Sequence, residues 1–455
     1  MRSFHSFLPL AALLPTPASA QMRGVNLGGW LVSEAWITPS LYRHLPSDQS
    51  QDEWHLCAHL REHCWETLHR HWSDFYQYSD FQDIQTAGLN TVRIPLGYWA
   101  VDKYDWEPYA QGQFTLLSRA VQWAKQLNLN VLIDLHGAPA SQNAQPNSGW
   151  AIAIDFMQNA TNIDRTVRVL KNLTREFSNT TTYGATVIGI ELLNEPIVTT
   201  AAMNIDNLKD FYHTAAQTVW DHQHSDADHI INVTIHDAFY DPSHWRNYSP
   251  NNSSATAPAE SMTLDTHQYY AFQPPFADYN NEEIITAICH VSKLLKQPRS
   301  ETGIPYTVVG EWSLAQGSAT DSSQAHRQWL RLFFEAQAAA YTPNGPGQSG
   351  IGWIFWTWKT ETDTFPWSYR LGIEDQYIPA NISDASQLVY GVLENGCVDT
   401  NPAKGGADPK SGAAGNYTAP PKVKSGATRG VPGWEGRLWW VGVGVGLVGG
   451  VACWL

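Results

Sequence analysis

Between Met22 and Lys359, eight short apolar runs alternate with amphipathic stretches, and few folds accommodate that alternation. The runs are Arg23–Leu27, Thr91–Leu96, Asn130–Leu135, Val187–Leu193, His229–Ile235, Thr263–Tyr269, Tyr306–Glu311 and Ile351–Trp356. Most are near-continuous in Val, Ile and Leu, as strands buried on both faces are. Helical patterns lie between several of them, at His71–Ala87, Phe114–Leu127, Ile163–Phe177, Asp206–Trp220, Glu282–Leu295 and Ser323–Ala339. Eight parallel strands with intervening helices predict an α/β fold, a single (β/α)8 TIM barrel with extended loops. A doubly wound sheet fits less well, because no Gly-rich phosphate loop follows the first run. The 455 residues, 43% hydrophobic and 16% charged, supply a sizeable core and exclude a disordered or coiled-coil chain.

Both ends read as addresses. In residues 1–20, Arg2 precedes an apolar stretch from Phe7 to Leu14, and Ala18-Ser19-Ala20 makes a small-residue cleavage site, the pattern of a signal peptide. Residues 21–398 are expected to form the barrel domain. Residues 399–437 are rich in Gly, Pro, Ala and Lys and predict a flexible stalk. Ser425-Gly426-Ala427, a polar spacer and the apolar tail 438–455 form the pattern of a GPI-attachment signal, with Ser425 the expected attachment residue. Such a chain meets the membrane through a lipid anchor alone. Nine N-x-Ser/Thr sequons agree with a secreted glycoprotein, and the Asn/Ser-rich segment Asn247–Glu260 reads as a glycosylated surface loop. Four of the five Cys lie ahead of the tail. Three pairings are open. Cys57–Cys64, close in sequence, and Cys289–Cys397, tying the last segment back to the body, are favoured.

The formal charge is −15, and the basic stalk leaves the body more acidic still. Nucleic acid and anionic membrane are therefore poor partners. The body also holds 17 of the 21 Trp. An acidic, Trp-rich body hints at a neutral polar ligand such as sugar.

In a TIM barrel the chemistry gathers at the C-terminal ends of the strands. Those ends read Arg93-Ile-Pro, Asp134-Leu-His136, Asn194-Glu195-Pro196, His267-Gln-Tyr269, Gly310-Glu311-Trp312 and Trp356-Thr-Trp358. Two Glu facing each other across one mouth suit glycosidic bond cleavage, one protonated to donate and one ionised to attack. Asn194 can bind a sugar hydroxyl beside the reacting carbon. Arg93 can keep Glu311 ionised, Tyr269 can hydrogen-bond it, and His136 and His267 can bind hydroxyls or tune the acid. His55, His59 and His63 fall at i, i+4, i+8, but they read as a solvated helix face, so no metal is expected. No cofactor motif is present.

These residues sit in longer matching stretches: Arg23-Gly-Val-Asn-Leu-Gly-Gly-Trp30, Ala87-Gly-Leu-Asn-Thr-Val-Arg-Ile-Pro95, Ile133-Asp-Leu-His-Gly-Ala-Pro139, Ile188-Gly-Ile-Glu-Leu-Leu-Asn-Glu-Pro196, Ile235-His-Asp-Ala-Phe239, Gly310-Glu-Trp-Ser313 and Phe355-Trp-Thr-Trp-Lys-Thr-Glu361. With them the chain resembles glycoside hydrolase family 5, and within it the GPI-anchored type of fungal exo-β-1,3-glucanase, over nearly all of residues 22–398. The resemblance implies a monomeric, cofactor-free, retaining exo-β-1,3-glucosidase that releases glucose from the non-reducing ends of cell-wall β-1,3-glucan. It implies Glu195 as acid/base and Glu311 as nucleophile, with Arg93, His136, Asn194, His267 and Tyr269 in support. Trp356 would stack under the glucose at the cleavage site, and Trp367 is expected to meet sugar as well. Glu34 would bind the terminal glucose, and Phe272 would clamp the next sugar. The second clamp aromatic of these relatives is replaced by Gln145. The same carboxylate pair would also serve an endo-β-glucanase (β-1,6 or β-1,3/1,4) or a wall transglucosylase, and a non-catalytic wall glycoprotein is the remaining reading.

Overall fold

The computed structural model describes residues 21–46, 49–199, 203–224, 229–250, 262–272, 275–316 and 324–402. The leader, nearly all of the stalk, the apolar tail and most of Asn247–Glu260 lie outside the described residues. Eight strands, β1 (Met22–Asn26), β2 (Thr91–Gly97), β3 (Asn130–Gly137), β4 (Val187–Glu191), β5 (Asn232–His236), β6 (Met262–Tyr270), β7 (Tyr306–Gln316) and β8 (Gly350–Phe355), pair in parallel in chain order. β8 returns to β1 and closes the barrel, with Met22 opposite Gly352 and Val25 opposite Phe355. Each strand falls on one of the eight apolar runs. β7 runs past Glu311 because it keeps pairing with β6 as far as Tyr270 opposite Gln316. β4 stops at Glu191, short of Leu193. Beyond it the Leu192 amide donates to Thr234 and the Asn194 amide to Leu135, so the chain bridges its neighbours without a regular ladder.

The helices are α1 (Pro39–Tyr42), α2 (Glu53–Leu60), α3 (Cys64–Asp74), α4 (Tyr78–Thr86), α5 (Gln113–Gln126), α6 (Ala160–Phe177), α7 (Thr180–Tyr183), α8 (Ile205–Asp221), α9 (Asn281–Leu295), α10 (Arg299–Thr302), α11 (Gln324–Tyr341) and α12 (Tyr369–Glu374). The single helix expected over His71–Ala87 is two, α3 and α4. A capping box restarts the chain, because the Gln77 amide donates to Asp80 and the Gln77 side chain accepts from the Asp80 amide. α2 is shorter than the helix read from the spacing of His55, His59 and His63. Asp52 caps it by accepting from the His55 amide, and it ends where Arg61 turns left-handed, with φ 50°. His55 and His59 therefore lie on α2, while His63 lies in the following 3-10 turn. The continuous helix face expected for the three histidines does not form.

Strand parity sorts the barrel. Val92 and Ile94 of β2, Ile133 and Leu135 of β3, Val233 and Ile235 of β5 and Trp353 and Phe355 of β8 join one large core shared with the helices. The alternate positions face inward. Leu132, Val308, Ile351 and Ile354 form a separate small apolar cluster with Met22 and Tyr306. Nearer the C-terminal ends the inward positions turn polar: Asn26, Arg93, Asp134, His136, Glu191, His236, Asp265 and His267 are all buried.

Outside the barrel, β9 (Tyr390–Val392) and β10 (Val398–Pro402) make a two-stranded antiparallel sheet. Glu335 of α11 accepts the amides of Val389 and Tyr390, while Ser292 and Lys296 donate to the Gly396 carbonyl. Disulfides join Cys57 to Cys64, linking α2 to α3, and Cys289 to Cys397, fastening this sheet to α9. Among the described residues no helix is long and apolar enough to cross a membrane.

Candidate active site

The inward end of the barrel is organised by one cation. Arg93 on β2 is fully buried, and its guanidinium reaches five other strands or their ends. It donates to Glu191 at 2.9 Å, to Asn26 at 2.9 Å, to Asn194 at 2.8 Å and to Glu311 at 3.0 Å, and it lies 3.1 Å from Asp134 and 3.8 Å from Asp265. Burial works to lower its pKa, but Asp134, Glu191, Glu311 and Asp265 together raise it well above the ordinary value. Such a cluster is costly to assemble and costly to break, since removing one partner strands the others uncompensated.

Glu311 takes its place through a local irregularity. The pairing of β6 with β7 shifts between Thr266 and His267, so Gly310 is bypassed and Glu311 comes opposite His267. Gly310 permits this because its amide donates to Asp265 at 2.7 Å, and an added Cβ would sit 2.0 Å from the Asp265 carboxylate. One Glu311 oxygen accepts from Arg93 and the other from the Tyr269 hydroxyl at 2.8 Å. Burial pushes the Glu311 carboxyl up, with the charges of His267 and Arg93 opposing. Both donors bind the anionic form. Tyr269 stays a donor because burial, Glu311 and Glu195 push its phenol well above the usual range.

Glu195 follows β4 with a left-handed backbone, φ 46°, a strained conformation for a residue with a side chain. One carboxylate oxygen meets His267 Nδ1 at 2.8 Å and the other accepts from Asn147 at 2.9 Å. Burial works to raise this carboxyl, yet the hydrogen bond and charge of His267 hold it at about 2. Burial works to lower His267, yet Glu311, Asp265 and Glu195 raise it well above the ordinary imidazole value. In the free site the proton of this pair thus rests on the imidazole. The same Nδ1 lies 3.5 Å from Glu311. An atom 2.8 Å from one carboxylate and 3.5 Å from the other keeps their nearest oxygens within 6.3 Å. One imidazole nitrogen thus bridges the two carboxylates across the mouth.

His136 Nδ1 is held at 2.6 Å by Asp134, and its ring stacks at 5.6 Å on Trp356, which is buried. Glu34 follows β1. It is buried, accepts from the Trp36 indole at 3.1 Å and is raised to about 7 by burial, with His136 lowering it and Glu311 and Glu195 raising it. Three buried polar atoms here, Glu34 Oε1, His136 Nε2 and Asn194 Nδ2, take no hydrogen bond among the described residues. An aromatic group adjoins Tyr269: its ring is 5.5 Å from Phe272 and 5.6 Å from Trp367, while Trp367 meets Phe272 at 5.9 Å and Trp36 at 5.1 Å. Gln145 is half-buried, opening the turn that carries Asn147.

Sequence reading thus named Arg93, His136, Asn194, Glu195, His267, Tyr269 and Glu311, which the structure brings into one connected group. It gave no role to Asn26, Asp134, Glu191, His236, Asp265 or Asn147. All but Asn147 of these interrupt apolar runs at every second position, the signal that marks an inward face. Asn147 lies in a loop and carried no such signal.

Residues 58–362 match the family described as Cellulase (glycosyl hydrolase family 5). The chain belongs to glycosyl hydrolase family 5. This family 5 enzyme is 33% identical over 421 residues to a glucan 1,3-beta-glucosidase of Kluyveromyces lactis, spanning 83% of this chain and 92% of that one. It is 33% identical over 397 residues to glucan 1,3-beta-glucosidase 1 of Schizosaccharomyces pombe, spanning 82% and 91%. Its fold is that of the Aspergillus niger rutinosidase, with a TM-score of 0.65 at 22% identity over 79% of this chain and 98% of that one. As a family 5 member it is a glycoside hydrolase.

Proposed function

We propose that this chain is a retaining exo-β-1,3-glucosidase that removes glucose from the non-reducing ends of β-1,3-glucan. The supporting observation is the carboxylate pair, bridged by one imidazole nitrogen and set in a chain a third identical to named glucan 1,3-beta-glucosidases. The terminal glucose lies against Trp356, and Glu34 Oε1, His136 Nε2 and Asn194 Nδ2 take its hydroxyls. His267 passes its proton across the hydrogen bond to Glu195, which donates it to the glycosidic oxygen as the bond to the anomeric carbon breaks. Glu311 attacks that carbon and forms a glycosyl ester. Glu195, now a base, takes a proton from water, whose oxygen displaces Glu311 with a second inversion. Arg93 and Tyr269 hold Glu311 in line and disperse its charge.

The acidic body, sequons and end signals support secretion as a monomer with a GPI anchor, acting at the cell surface or wall. Release of the cell-bound protein by a phosphatidylinositol-specific phospholipase tests the anchor, and persistence on treated cells sinks it. For the reaction, the test is nuclear magnetic resonance of the first turnovers on laminarin. Glucose appearing first as the β anomer is expected. Early oligosaccharides would make the enzyme endo-acting or a transglucosylase, and an α anomer would rule out retention.

A further inference from the structure

Trp106 is the most exposed large apolar side chain among the described residues, 65% open, yet it is not loosely held. It lies in the segment after β2, 5.8 Å from Trp54 and 6.2 Å from Tyr104. Trp54 in turn stacks on Trp150 at 3.7 Å, nearly parallel. The base beneath is fixed by charge. Arg165 covers Tyr104 at 3.9 Å and pairs with Asp102 and Glu107, and Glu107 also accepts the Tyr98 hydroxyl and the Tyr104 amide. A flat ring that is open to solvent yet packed against other rings loses less entropy on meeting a ligand than a free one.

Three loops that leave C-terminal strand ends converge here. The Trp54 amide, from the segment after β1, and the Tyr109 hydroxyl, from the segment after β2, both donate to the Gly149 carbonyl in the segment after β3. That last segment also carries Asn147, which donates to Glu195. Trp150 is three residues from Asn147, so its backbone is at most about 11 Å away. The aromatic cluster therefore shares a loop with the residue that donates to Glu195.

We propose that Trp106, with Trp54 and Trp150, is a second sugar site that holds a glucan strand outside the catalytic pocket. The occupant is a neutral β-linked glucan whose pyranose C–H faces pack on the indoles. Asp105, exposed beside Trp106, disfavours an anionic polymer. The inference rests on the glucan specificity proposed above, and it adds that long chains are held at two places at once, which raises their effective concentration at the pocket.

The test uses the full chain carrying Glu311→Gln, so that it binds without cleaving, in native gels cast with soluble β-1,3-glucan. Retardation by the glucan is expected, and adding Trp106→Ala should weaken it by at least about threefold. In the cleaving enzyme, Trp106→Ala should lower the ratio of kcat/KM on long glucan to that on a short aryl β-glucoside by a similar factor. Equal retardation with and without Trp106, or none at all, overturns the second site. Unchanged retardation with reduced self-association assigns the patch to a protein contact and overturns it too. Failure to cleave the aryl β-glucoside would instead strike the catalytic reading, and the gel result would still stand on its own.

Discussion

Each residue of the carboxylate pair has a distinct expected signature. Glu311→Gln keeps the volume but removes the attacking oxygen and a charge facing Arg93, so kcat should fall by about 10⁴ or more, with a modest loss of melting temperature. Glu195→Ala should spare aryl glucosides with good leaving groups far more than glucan, whose leaving alkoxide needs the proton; equal losses on both would argue against Glu195 as the acid. The pH profile of kcat/KM should be bell-shaped. Activity is lost on the acid side as Glu311 is protonated, and burial places that limb above its ordinary carboxylate value. Activity is lost on the alkaline side as the Glu195–His267 pair gives up its proton, and that limb lies above the ordinary imidazole value of about 6.5. His267→Gln removes the base that stores the proton, so the alkaline limb should move to lower pH. A limb left in place would show that His267 does not share the proton.

At the scale of elements, the fragile joint is the irregular pairing of β6 with β7. Gly310→Ala puts a methyl group into the Asp265 carboxylate, so it should cost both folding and activity, on the order of 2–4 kcal/mol in chemical denaturation. Cys289→Ser frees the sheet of β9 and β10 from α9 and opens a loop of 108 residues, with an expected loss of about 2–5 kcal/mol, while aryl-glucosidase activity per folded molecule should persist. The strands were legible because apolar runs of 5–7 residues have few other homes, and their ends fell within a few residues of place. The long helix over His71–Ala87 was misread because its periodicity runs smoothly across Ser73 to Gln77, while the break is made by a reciprocal cap that hydropathy does not register. α2 was legible only through the spacing of His55, His59 and His63, because its buried face holds just Glu53, Leu56 and Cys57. Glu195 and Glu311 were legible from their strand ends. Asn147 was not, since nothing in a loop sequence says which atom it will meet.

For the whole molecule, the barrel interior collects more acids than bases. Glu34, Asp134, Glu191, Glu195, Asp265 and Glu311 are set against Arg93 and the imidazoles of His136 and His267. Burial raises Glu191 well above its ordinary value and Glu34 to about 7, so part of the excess is held as neutral acid; Arg93 compensates the rest at the centre, and Glu311 faces the mouth, where the anomeric carbon gains positive charge as the bond breaks. The same excess reaches ligands that are not substrates. A sugar analogue with a ring nitrogen should bind as its protonated form far better than glucose does, with affinity that rises as Glu311 ionises and falls again once the nitrogen loses its proton. A well built to stabilise a fleeting cation is also a trap for a permanent one.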